Sequence, residues 1–366
     1  MRLFGRSPKD PMASRRNRNE AMKETRVPLS VEQEPAPAWG EPVGTSETFR
    51  RLIQRIERYA PFDHIPVLFE GETGTGKTVL ARYLHTRSTR ARRPFVPVDI
   101  GALDDDLAGS ALFGHVRGAF TGAVDARSGF FSEASGGTLF LDEIGKASSS
   151  VQRRLLSAVE SEEVIPVGAS RPVRHNVRLL AATNVPLEQL IESGALLPDL
   201  AARLRACVIR LPALRERPGD IPQLVRHFIA RFAKLTGYEK APTVADPLMT
   251  ALTRAPWRDN VRELAFAIQR LLIEAYPAPV LRLAHCDDDL DHLRKLAKRE
   301  RVAATPEQAV DLVRDHGSVR DAARELGVSL ATMYRKLPGR RANDRERNGT
   351  GITERARDSQ IEKKSL

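Results

Sequence analysis

The sequence predicts a parallel β-sheet with helices on both faces, followed by a smaller helical unit. Four apolar runs of strand length alternate with helical stretches, an order typical of sheets whose strands are joined by helices. These runs are Val67–Glu70, Phe95–Asp99, Thr138–Asp142 and Val177–Thr183. After Pro212 the strand signals stop, and apolar residues from Asp220 to Tyr276 recur at helical spacing. We therefore expect an α/β subdomain and then a helical one.

The composition limits the class of protein. With 366 residues, of which 41% are hydrophobic, the chain is long enough for two or three units with packed cores. Its two cysteines, Cys207 and Cys286, cannot form a disulfide framework or a cysteine-rich zinc site. No apolar run approaches the ~18 residues that a membrane helix needs. The net charge of +11 favours an anionic partner. We expect a cytoplasmic protein without membrane contact.

Changes in composition divide the chain further. Residues 1–41 are basic and Pro-rich towards their end, which is more typical of a solvated tail and linker than of a dedicated binding arm. The predicted units are a disordered basic arm and linker at 1–41, the α/β subdomain at 42–215, a helical lid at 216–283, a linker or exposed helix at 284–304, a helical unit at 305–337 and a basic disordered tail at 338–366.

A phosphate-binding loop motif follows the first predicted strand. The residues Gly71-Glu72-Thr73-Gly74-Thr75-Gly76-Lys77-Thr78 match its pattern at every required position, between an apolar strand and a helix. The glycines allow backbone N–H groups to point at phosphate oxygens, and the helix N-terminus adds positive potential. Lys77 would supply charge near the β- and γ-phosphates, and Thr78 a hydroxyl for Mg²⁺. A chance match by a Gly-rich turn is the disfavoured alternative. We expect this loop to bind ATP with Mg²⁺.

Polar side chains follow other predicted strands. Asp142 and Glu143 end an apolar run, where an unpaired buried acid would be costly. A role as a Mg²⁺ ligand would explain the acid at Asp142, and a role as the base that polarises the attacking water would explain the acid at Glu143. Asn184 follows another strand, where it can hold the attacking water or sense the γ-phosphate. Because ligands of open parallel sheets bind at the carboxyl edge of the strands, these residues predict one ATPase site.

A short uncharged loop lies between the two nucleotide motifs. It reads Gly118-Ala119-Phe120-Thr121-Gly122-Ala123. An exposed Phe in such a loop indicates contact with another protein, although a Phe tucked into the core would suit an isolated hexapeptide. With the preceding Ser110–His115, the chain closely resembles the AAA+ domain of sigma-54-dependent transcription activators over about Glu41–Ala275, and a helix-turn-helix behind it extends the resemblance to Leu337.

The resemblance implies an AAA+ P-loop NTPase that assembles into a ring, typically a hexamer. Its Gly118–Ala123 loop would engage sigma-54 and remodel closed promoter complexes of RNA polymerase into open ones as ATP is hydrolysed. Arg203 stands where the family places an arginine that reaches the neighbouring subunit's nucleotide. Arg262, within Trp257–Leu264, stands at the second sensor, and Leu211–Arg217 is the joint between the subdomains. Either arginine could instead form a surface salt bridge.

Several positions depart from the family's pattern: Thr78, Asp99, Ala111, Leu197 and Arg258-Asp259. Thr78 replaces a glutamate, which leaves ATP binding intact. Asp99 replaces an asparagine that in relatives restrains the catalytic Glu143, and its charge would repel that carboxylate or share a proton with it. Ala111 replaces a glutamate linked to loop positioning. Leu197 replaces a second arginine, so that one arginine is left to act in trans. We therefore expect altered turnover or coupling and unaltered nucleotide binding.

The C-terminal unit is predicted to be a helix-turn-helix. Helices are expected over Ala309–Arg314, Val319–Leu326 and Leu330–Leu337, with Gly327 in the turn and Ser329 as an N-cap. The third helix would enter the major groove of DNA, as in the activators that the chain resembles. The expected DNA contacts are Ser329, Thr332, Tyr334, Arg335 and Lys336. A small helical lid or dimerisation unit is the alternative.

Two classes of function remain open. The first is an ATP-dependent transcriptional activator bound to upstream, enhancer-like DNA. Residues 1–41 are too few for a receiver or ligand-sensing domain, so we expect control through expression or through an inhibitory or co-activator protein in trans. The second is a repressor or architectural protein on an AAA+ scaffold with impaired remodelling, which Asp99, Ala111 and Leu197 support. A third, a protease-associated or helicase-loading ATPase, would have no use for the Gly118–Ala123 loop.

Overall fold

Helices and short strands alternate along the chain. The computed structural model describes residues 41–303 and, further on, positions 310, 311, 313, 314, 318–320, 330, 333, 334 and 337. The helices of residues 41–303 are α1 (Glu47–Tyr59), α2 (Lys77–Thr86), α3 (Asp105–Phe113), α4 (Phe130–Glu133), α5 (Ser149–Ser161), α6 (Leu187–Glu192), α7 (Pro198–Leu204), α8 (Ile221–Phe232), α9 (Asp246–Arg254), α10 (Asn260–Ala275) and α11 (Asp291–Ala303). The strands are β1 (Val67–Glu70), β2 (Phe95–Asp99), β3 (Thr138–Asp142), β4 (Glu163–Val164), β5 (Val173–Arg174), β6 (Arg178–Thr183), β7 (Val208–Arg210), β8 (Thr243–Val244) and β9 (Val280–Leu281). None of the helices in this described part has the length and apolar character needed to cross a membrane.

A five-stranded parallel sheet forms the centre of the α/β subdomain. Its strand order is β2-β3-β6-β1-β7, and every pairing in it is parallel. The four apolar runs predicted as strands are confirmed as β1, β2, β3 and β6. The edge strand β7 is not among the predicted strands, because its three residues are too few to show a periodic signal. In register, Glu70 lies beside Thr183 and Asp99 lies beside Asp142, so these carboxyl ends share one edge.

Helices cover both faces of this sheet, as predicted. On one face, α1 and α2 pack with residues such as Leu84 against Phe69 of β1. On the other face, α3, α5 and α7 pack with residues such as Leu155 against Leu68, the neighbouring residue of the same strand. Alternate residues of a strand point to opposite faces, and each fully buried side chain of this kind contributes about 1.5–3 kcal/mol. The sheet is therefore held from both sides, which fixes its carboxyl edge.

The helical subdomain has a core of its own. Helices α8, α9 and α10 pack around the fully buried Trp257, whose Nε1 donates to the carbonyl of Leu252 at 2.8 Å. The stretch 284–304, predicted as a linker or an exposed helix, contains α11 and contributes Cys286 and Leu293 to this core. Charged residues on the exposed face of α11 obscure its apolar spacing in the sequence. The structure therefore places α11 within the helical subdomain.

The start of α1 is fixed to the joint between the two subdomains. Asp220 is fully buried, and its carboxylate accepts hydrogen bonds from Thr45 N at 2.7 Å, Ser46 N at 2.6 Å and Ser46 Oγ at 2.9 Å. Arg217, also buried, lies 3.7 Å from Asp220 and donates to the carbonyl of Thr75 at 3.3 Å. Removing either charge would leave the other buried and unpaired. The joint thus connects α1 with the loop that follows β1.

The C-terminal unit is described only in part. Positions 310, 311, 313, 314, 319, 320, 330, 333 and 334 are helical. Most of the other positions predicted as helices in the helix-turn-helix lie outside the described residues.

Candidate functional site

The phosphate-binding motif forms a tight loop between β1 and α2. Gly74 and Gly76 have φ angles of 75° and 104°, in the left-handed region that glycine adopts without strain. Lys77 is buried at the first position of α2, and its Nζ donates to the carbonyls of Gly71 at 2.8 Å and Glu72 at 3.3 Å. The loop thus surrounds an ammonium group at the N-terminus of a helix, an arrangement suited to phosphate.

Four charged groups converge on this loop. Burial lowers the pKa of Lys77 from its ordinary value, the carboxylates of Glu143 and Asp142 oppose that shift, and the Arg262 guanidinium adds to it. The lysine therefore lies within electrostatic reach of both sheet-edge carboxylates and of the lid arginine. The structure brings together residues that are distant in the sequence and that were each predicted for the ATPase site.

Two oxygen atoms of the kind that divalent cations bind lie next to each other. Thr78 Oγ1 donates to Asp142 Oδ2 at 3.3 Å. Hydroxyl and carboxylate oxygens are ligands that Mg²⁺ prefers, so this pair fits the cation of Mg·ATP. Glu143 follows with φ 56° and ψ 49°, a left-handed conformation that is strained for a residue with a Cβ. The strain occurs at the turn where β3 ends, directly after the candidate Mg²⁺ ligand.

Asn184 lies at the same edge of the sheet. The N–H of Gly71 donates to the carbonyl of Thr183 at 3.1 Å, so Asn184 directly follows the residue that contacts the phosphate loop. Thr183 Oγ1 donates to the carbonyl of Val185 at 2.9 Å and accepts from its N–H at 3.1 Å. This turn is therefore fixed, and the side chain of Asn184 is exposed at the site.

The helical subdomain contacts the phosphate loop through the start of α10. The N–H of Val261 donates to the carbonyl of Gly74 at 3.0 Å. A methyl group added to Gly74 would lie 2.0 Å from the carbonyl oxygen of Asp259 and 3.0 Å from Cβ of Arg262. The loop and the lid thus touch at a position where only glycine fits, and Cβ of Arg262 lies beside Gly74 of the phosphate loop.

Sequence reasoning missed the role of a buried asparagine in this contact. Asn260 is fully buried, its Nδ2 donates to Thr73 O at 2.9 Å and Glu72 Oε2 at 3.2 Å, and its Oδ1 accepts from Leu214 N at 2.7 Å. Arg215 donates to both oxygens of the Glu72 carboxylate at 2.7 and 2.6 Å. Arg215 and then Asn260 hold the pKa of Glu72 at about 2. The sequence signal for Asn260 is its place at the start of an amphipathic helix, where it resembles an ordinary capping residue.

Arg203 has a partner within its own chain. It lies in α7, and its Nε and Nη2 donate to Oε1 of Glu160 in α5 at 3.0 and 2.6 Å. Leu197, at the position of a second family arginine, precedes α7 and donates its N–H to Gln152 Oε1 at 2.7 Å. In the described part of the chain, Arg203 therefore forms the surface salt bridge that was the alternative to a role in trans.

Asp99, which departs from the family's pattern, lies beside Asp142 across β2 and β3. Its Oδ1 accepts a hydrogen bond from the N–H of Gly101 at 2.9 Å. An asparagine could accept the same bond, so the negative charge of Asp99 is not needed for this turn. Ala111, a second departure, is half-buried near the end of α3.

The Gly118–Ala123 loop is held at its base and exposes its phenylalanine. The N–H of Gly118 donates to the carbonyl of Ala123 at 2.8 Å, and the N–H of Ala123 to the carbonyl of Phe120 at 3.0 Å. Phe120 is 38% exposed, and its ring packs edge-on against the His115 imidazole at 5.1 Å between centroids. The phenylalanine therefore lies on the surface and not in the core.

The segment between β4 and β5 lies against the base of this loop. Val116 N donates to Val167 O at 3.1 Å, and Val167 N donates to Gly114 O at 2.8 Å. A methyl group on Gly168 would lie 2.8 Å from Cβ of Ala119. The two segments are in close contact, so a movement of one would displace the other.

One of the five predicted DNA contacts lies among the described residues. Tyr334 is helical and 40% exposed. The other four, Ser329, Thr332, Arg335 and Lys336, lie outside that part of the chain. DNA contact by these residues therefore stays a prediction.

Two family descriptions match the chain. Residues 43–210 match "Sigma-54 interaction domain", and residues 215–303 match "AAA+ ATPase lid domain". The chain is 40% identical over 335 residues to transcriptional regulatory protein ZraR of Klebsiella oxytoca, spanning 87% of this chain and 73% of that protein. It is 41% identical over 303 residues to the Nif-specific regulatory protein of Azotobacter vinelandii, spanning 78% of this chain and 56% of that protein. It is also 41% identical over 245 residues to the sigma54-dependent transcriptional regulator SfnR of Pseudomonas fluorescens (strain Pf0-1), spanning 65% of this chain and 66% of that protein.

Solved structures with a similar fold include NtrX from Brucella abortus. Its complex with ATP has a TM-score of 0.62 and 29% sequence identity, covering 81% of this chain and 68% of NtrX. Its complex with ADP has a TM-score of 0.64 and 27% sequence identity, covering 81% of this chain and 69% of NtrX.

Proposed function

The chain belongs to the family of sigma-54-dependent transcriptional regulators, and from this premise we propose that it is an ATP-driven activator. It binds upstream, enhancer-like DNA, hydrolyses ATP and remodels the closed complex of sigma-54 RNA polymerase into the open complex. Its targets, DNA and RNA polymerase, place it in the cytoplasm. The observation that carries the proposal is the convergence of Asp142, Glu143 and Arg262 on Lys77 at one edge of the sheet, in a chain that also exposes Phe120.

The residues at the sheet edge divide the work of ATP hydrolysis. Lys77 and the backbone N–H groups of the phosphate loop bind the β- and γ-phosphates. Thr78 and Asp142 hold Mg²⁺, which neutralises charge on these phosphates when it is bound. Glu143 accepts a proton from the attacking water, and Asn184 orients that water. The 3.3 Å contact between Thr78 and Asp142 supports this division.

Self-association into a ring, which we take to be a hexamer, completes the site. Arg203 leaves Glu160 and reaches the nucleotide of the neighbouring subunit, where it stabilises the charge that develops on the transferred phosphoryl group. The side chains of Arg203 and Glu160 are 57% and 43% exposed. Pairs of this kind contribute only about 0–1 kcal/mol, which supports an easy exchange of partners.

The Gly118–Ala123 loop contacts sigma-54 in this proposal. An exposed aromatic side chain flanked by small residues suits an apolar contact with another protein. The path of the chain supports coupling to ATP, because β2 ends beside Asp142 and α3 leads from there to Gly114 at the base of the loop. A change at the sheet edge can therefore reach Phe120 through one short helix.

Open-complex formation by purified sigma-54 RNA polymerase tests the proposal. The intact protein with ATP should produce heparin-resistant open complexes. Lys77→Ala should abolish both ATP binding and opening, since the loop loses its ammonium group. Phe120→Ala should retain ATP hydrolysis and lose opening, whereas Phe62→Ala, which removes a 47% exposed phenylalanine from another surface, should retain both. The proposal would be contradicted if the intact protein bound both the promoter DNA and ATP but did not open the promoter.

A repressor or architectural role is the second candidate. The position of Asp99 beside Asp142 favours it, because an additional carboxylate at the sheet edge opposes the turnover of ATP. In that case the protein would occupy its DNA site and lower transcription without ATP. Lys77→Ala would then repress as strongly as the intact protein.

A further inference from the structure

We propose that Glu72 is a positioning residue that couples the helical lid to the phosphate loop. In this proposal, the position of the lid and the occupancy of the loop depend on each other through the Glu72 carboxylate. The inference rests on the ATP site of the proposed function and identifies how that site communicates with the lid.

Three successive residues of the phosphate loop accept hydrogen bonds from the start of α10. Asn260 Nδ2 donates to the Glu72 carboxylate at 3.2 Å and to the carbonyl of Thr73 at 2.9 Å. The N–H of Val261 donates to the carbonyl of Gly74 at 3.0 Å. The lid therefore holds the loop along three consecutive residues, and the lid cannot move away without breaking these bonds or moving the loop.

Glu72 is also bound to the joint between the subdomains. Arg215 of the joint donates two hydrogen bonds to it, at 2.7 and 2.6 Å, which is the strong bidentate form of an arginine–carboxylate pair. Asn260 Oδ1 accepts from Leu214 N at 2.7 Å and so closes the contact between lid and joint. One carboxylate thus connects the loop, the joint and the lid.

The turn that leads into α10 has an unusual backbone conformation. Asn260 is fully buried and has a φ of 54°, in the left-handed region that asparagine adopts more readily than most residues with a side chain. Trp257, three residues earlier, is fully buried with a φ of 41°. This turn places the Asn260 amide between the loop and the joint.

The charge of Glu72 would be a disadvantage in a loop that only binds phosphate. Its carboxylate is 43% exposed beside an anion site, and a fixed negative charge there repels phosphate. Its low pKa, about 2, keeps it ionised. Phosphates in the loop would repel this carboxylate and compete with it for Arg215. Occupancy of the loop is thereby passed to the joint and to the lid.

A double-mutant cycle on ATP binding tests this coupling. Titration calorimetry with ATP compares the full chain with Glu72→Gln, Arg262→Ala and the double variant. Arg262→Ala should weaken ATP binding about tenfold in the otherwise intact chain and about twofold or less when Glu72→Gln is present, because the lid then loses its link to the Glu72 carboxylate and positions Arg262 less firmly at the loop. Glu47→Gln removes a matched carboxylate from the exposed 2.8 Å ion pair with Arg51, and it should leave the tenfold effect of Arg262→Ala unchanged.

The outcomes separate coupling from a merely structural role. If Glu72 only stabilises the fold, Glu72→Gln lowers the melting temperature and the tenfold effect of Arg262→Ala persists, which overturns the proposal. If circular dichroism shows that Glu72→Gln does not fold, Arg215→Lys carries the same cycle, since lysine keeps the charge and loses the bidentate bond. An intact chain that neither binds nor hydrolyses ATP overturns the proposed function. If the intact chain hydrolyses ATP normally and the effects of Glu72→Gln and Arg262→Ala on ATP binding are additive, the coupling proposal is overturned and the proposed function is not.

Discussion

Arg203 and Glu160 form an ion pair within one chain, with Nη2 of the arginine 2.6 Å from Oε1 of the glutamate. The pair joins α7 to α5 on the exposed surface. An arginine that serves a neighbouring subunit's nucleotide must exchange this carboxylate for a phosphate. In the proposed ring, Glu160 would therefore compete with the neighbouring subunit's nucleotide for Arg203.

Removing the competing carboxylate should speed ATP hydrolysis. Glu160→Gln should raise turnover at limiting protein concentration by up to about fivefold, the factor that corresponds to an exposed ion pair. Arg203→Ala should lower turnover by about 10³-fold and leave ATP binding nearly unchanged. Steady-state hydrolysis over a range of protein concentrations measures both effects. Glu163→Gln, from the exposed pair with Arg174, is the control. If neither Glu160→Gln nor Arg203→Ala changes turnover, Arg203 does not act in trans.

Two glycines with the same backbone conformation should respond differently to a methyl group. Gly74 and Gly136 have φ angles of 75° and 74°, so alanine at either should cost about 1–2 kcal/mol of unfolding free energy. The methyl group meets the carbonyl of Asp259 at 2.0 Å at Gly74 and no atom within 4 Å at Gly136. Gly74→Ala should therefore also displace the lid and weaken ATP binding by about 100-fold or more. Urea unfolding and ATP titration measure the two effects, and equal ATP affinity in the two variants would show that the lid contact is not needed.

The stability of the fold should decrease in mildly acidic solution because of His85. The imidazole is buried, with Nδ1 2.9 Å from Thr138 Oγ1, and burial lowers the pKa of His85 from 6.5 to about 4. Below about pH 6.5 the unfolded chain binds a proton that the folded chain does not. The unfolding free energy therefore decreases as the pH is lowered, by up to about 3 kcal/mol near pH 4. Urea unfolding at several pH values gives the slope of unfolding free energy against pH for the intact chain and for His85→Gln, and the two slopes are compared.

Other groups can be separated from His85 in that measurement. Burial also lowers the pKa of His175 and His227, but these residues are present in both proteins and cancel in the difference. Glu72, with a pKa of about 2, contributes stability that is lost only below its ordinary pKa of 4.5. Between about pH 6.5 and 4.5 the difference therefore reports His85. Parallel curves for the intact chain and for His85→Gln would contradict the prediction.

The parts that the sequence predicts are those whose signal lies within a few neighbouring residues. The phosphate loop 71–78 and the apolar strands are of this kind, because spacing and strand context suffice to recognise them. The pairing of Arg203 with Glu160 joins residues 43 positions apart, and that of Asn260 with Glu72 joins residues 188 apart. No local pattern records such partners, since only the packing of the subdomains brings them together.

The charge of Asp99 is the departure from the family's pattern with the clearest expected effect on turnover. Asp99→Asn should raise the rate of ATP hydrolysis about three- to tenfold, because it removes a negative charge beside Asp142, at the edge of the sheet where we propose that the γ-phosphate binds. The unfolding free energy should change by less than about 0.5 kcal/mol, since asparagine can still accept the bond from Gly101 N. Steady-state hydrolysis and urea unfolding give the two quantities.

A second charge removal shows whether the effect of Asp99 is local. Asp104→Asn removes an exposed carboxylate just ahead of α3, whose side chain caps no N–H group of that helix, and it should leave turnover unchanged. Equal acceleration by both variants would mean that the net charge of the chain sets the rate. Slower hydrolysis by Asp99→Asn would mean that this carboxylate takes part in the reaction, so that its presence beside Asp142 assists turnover instead of opposing it.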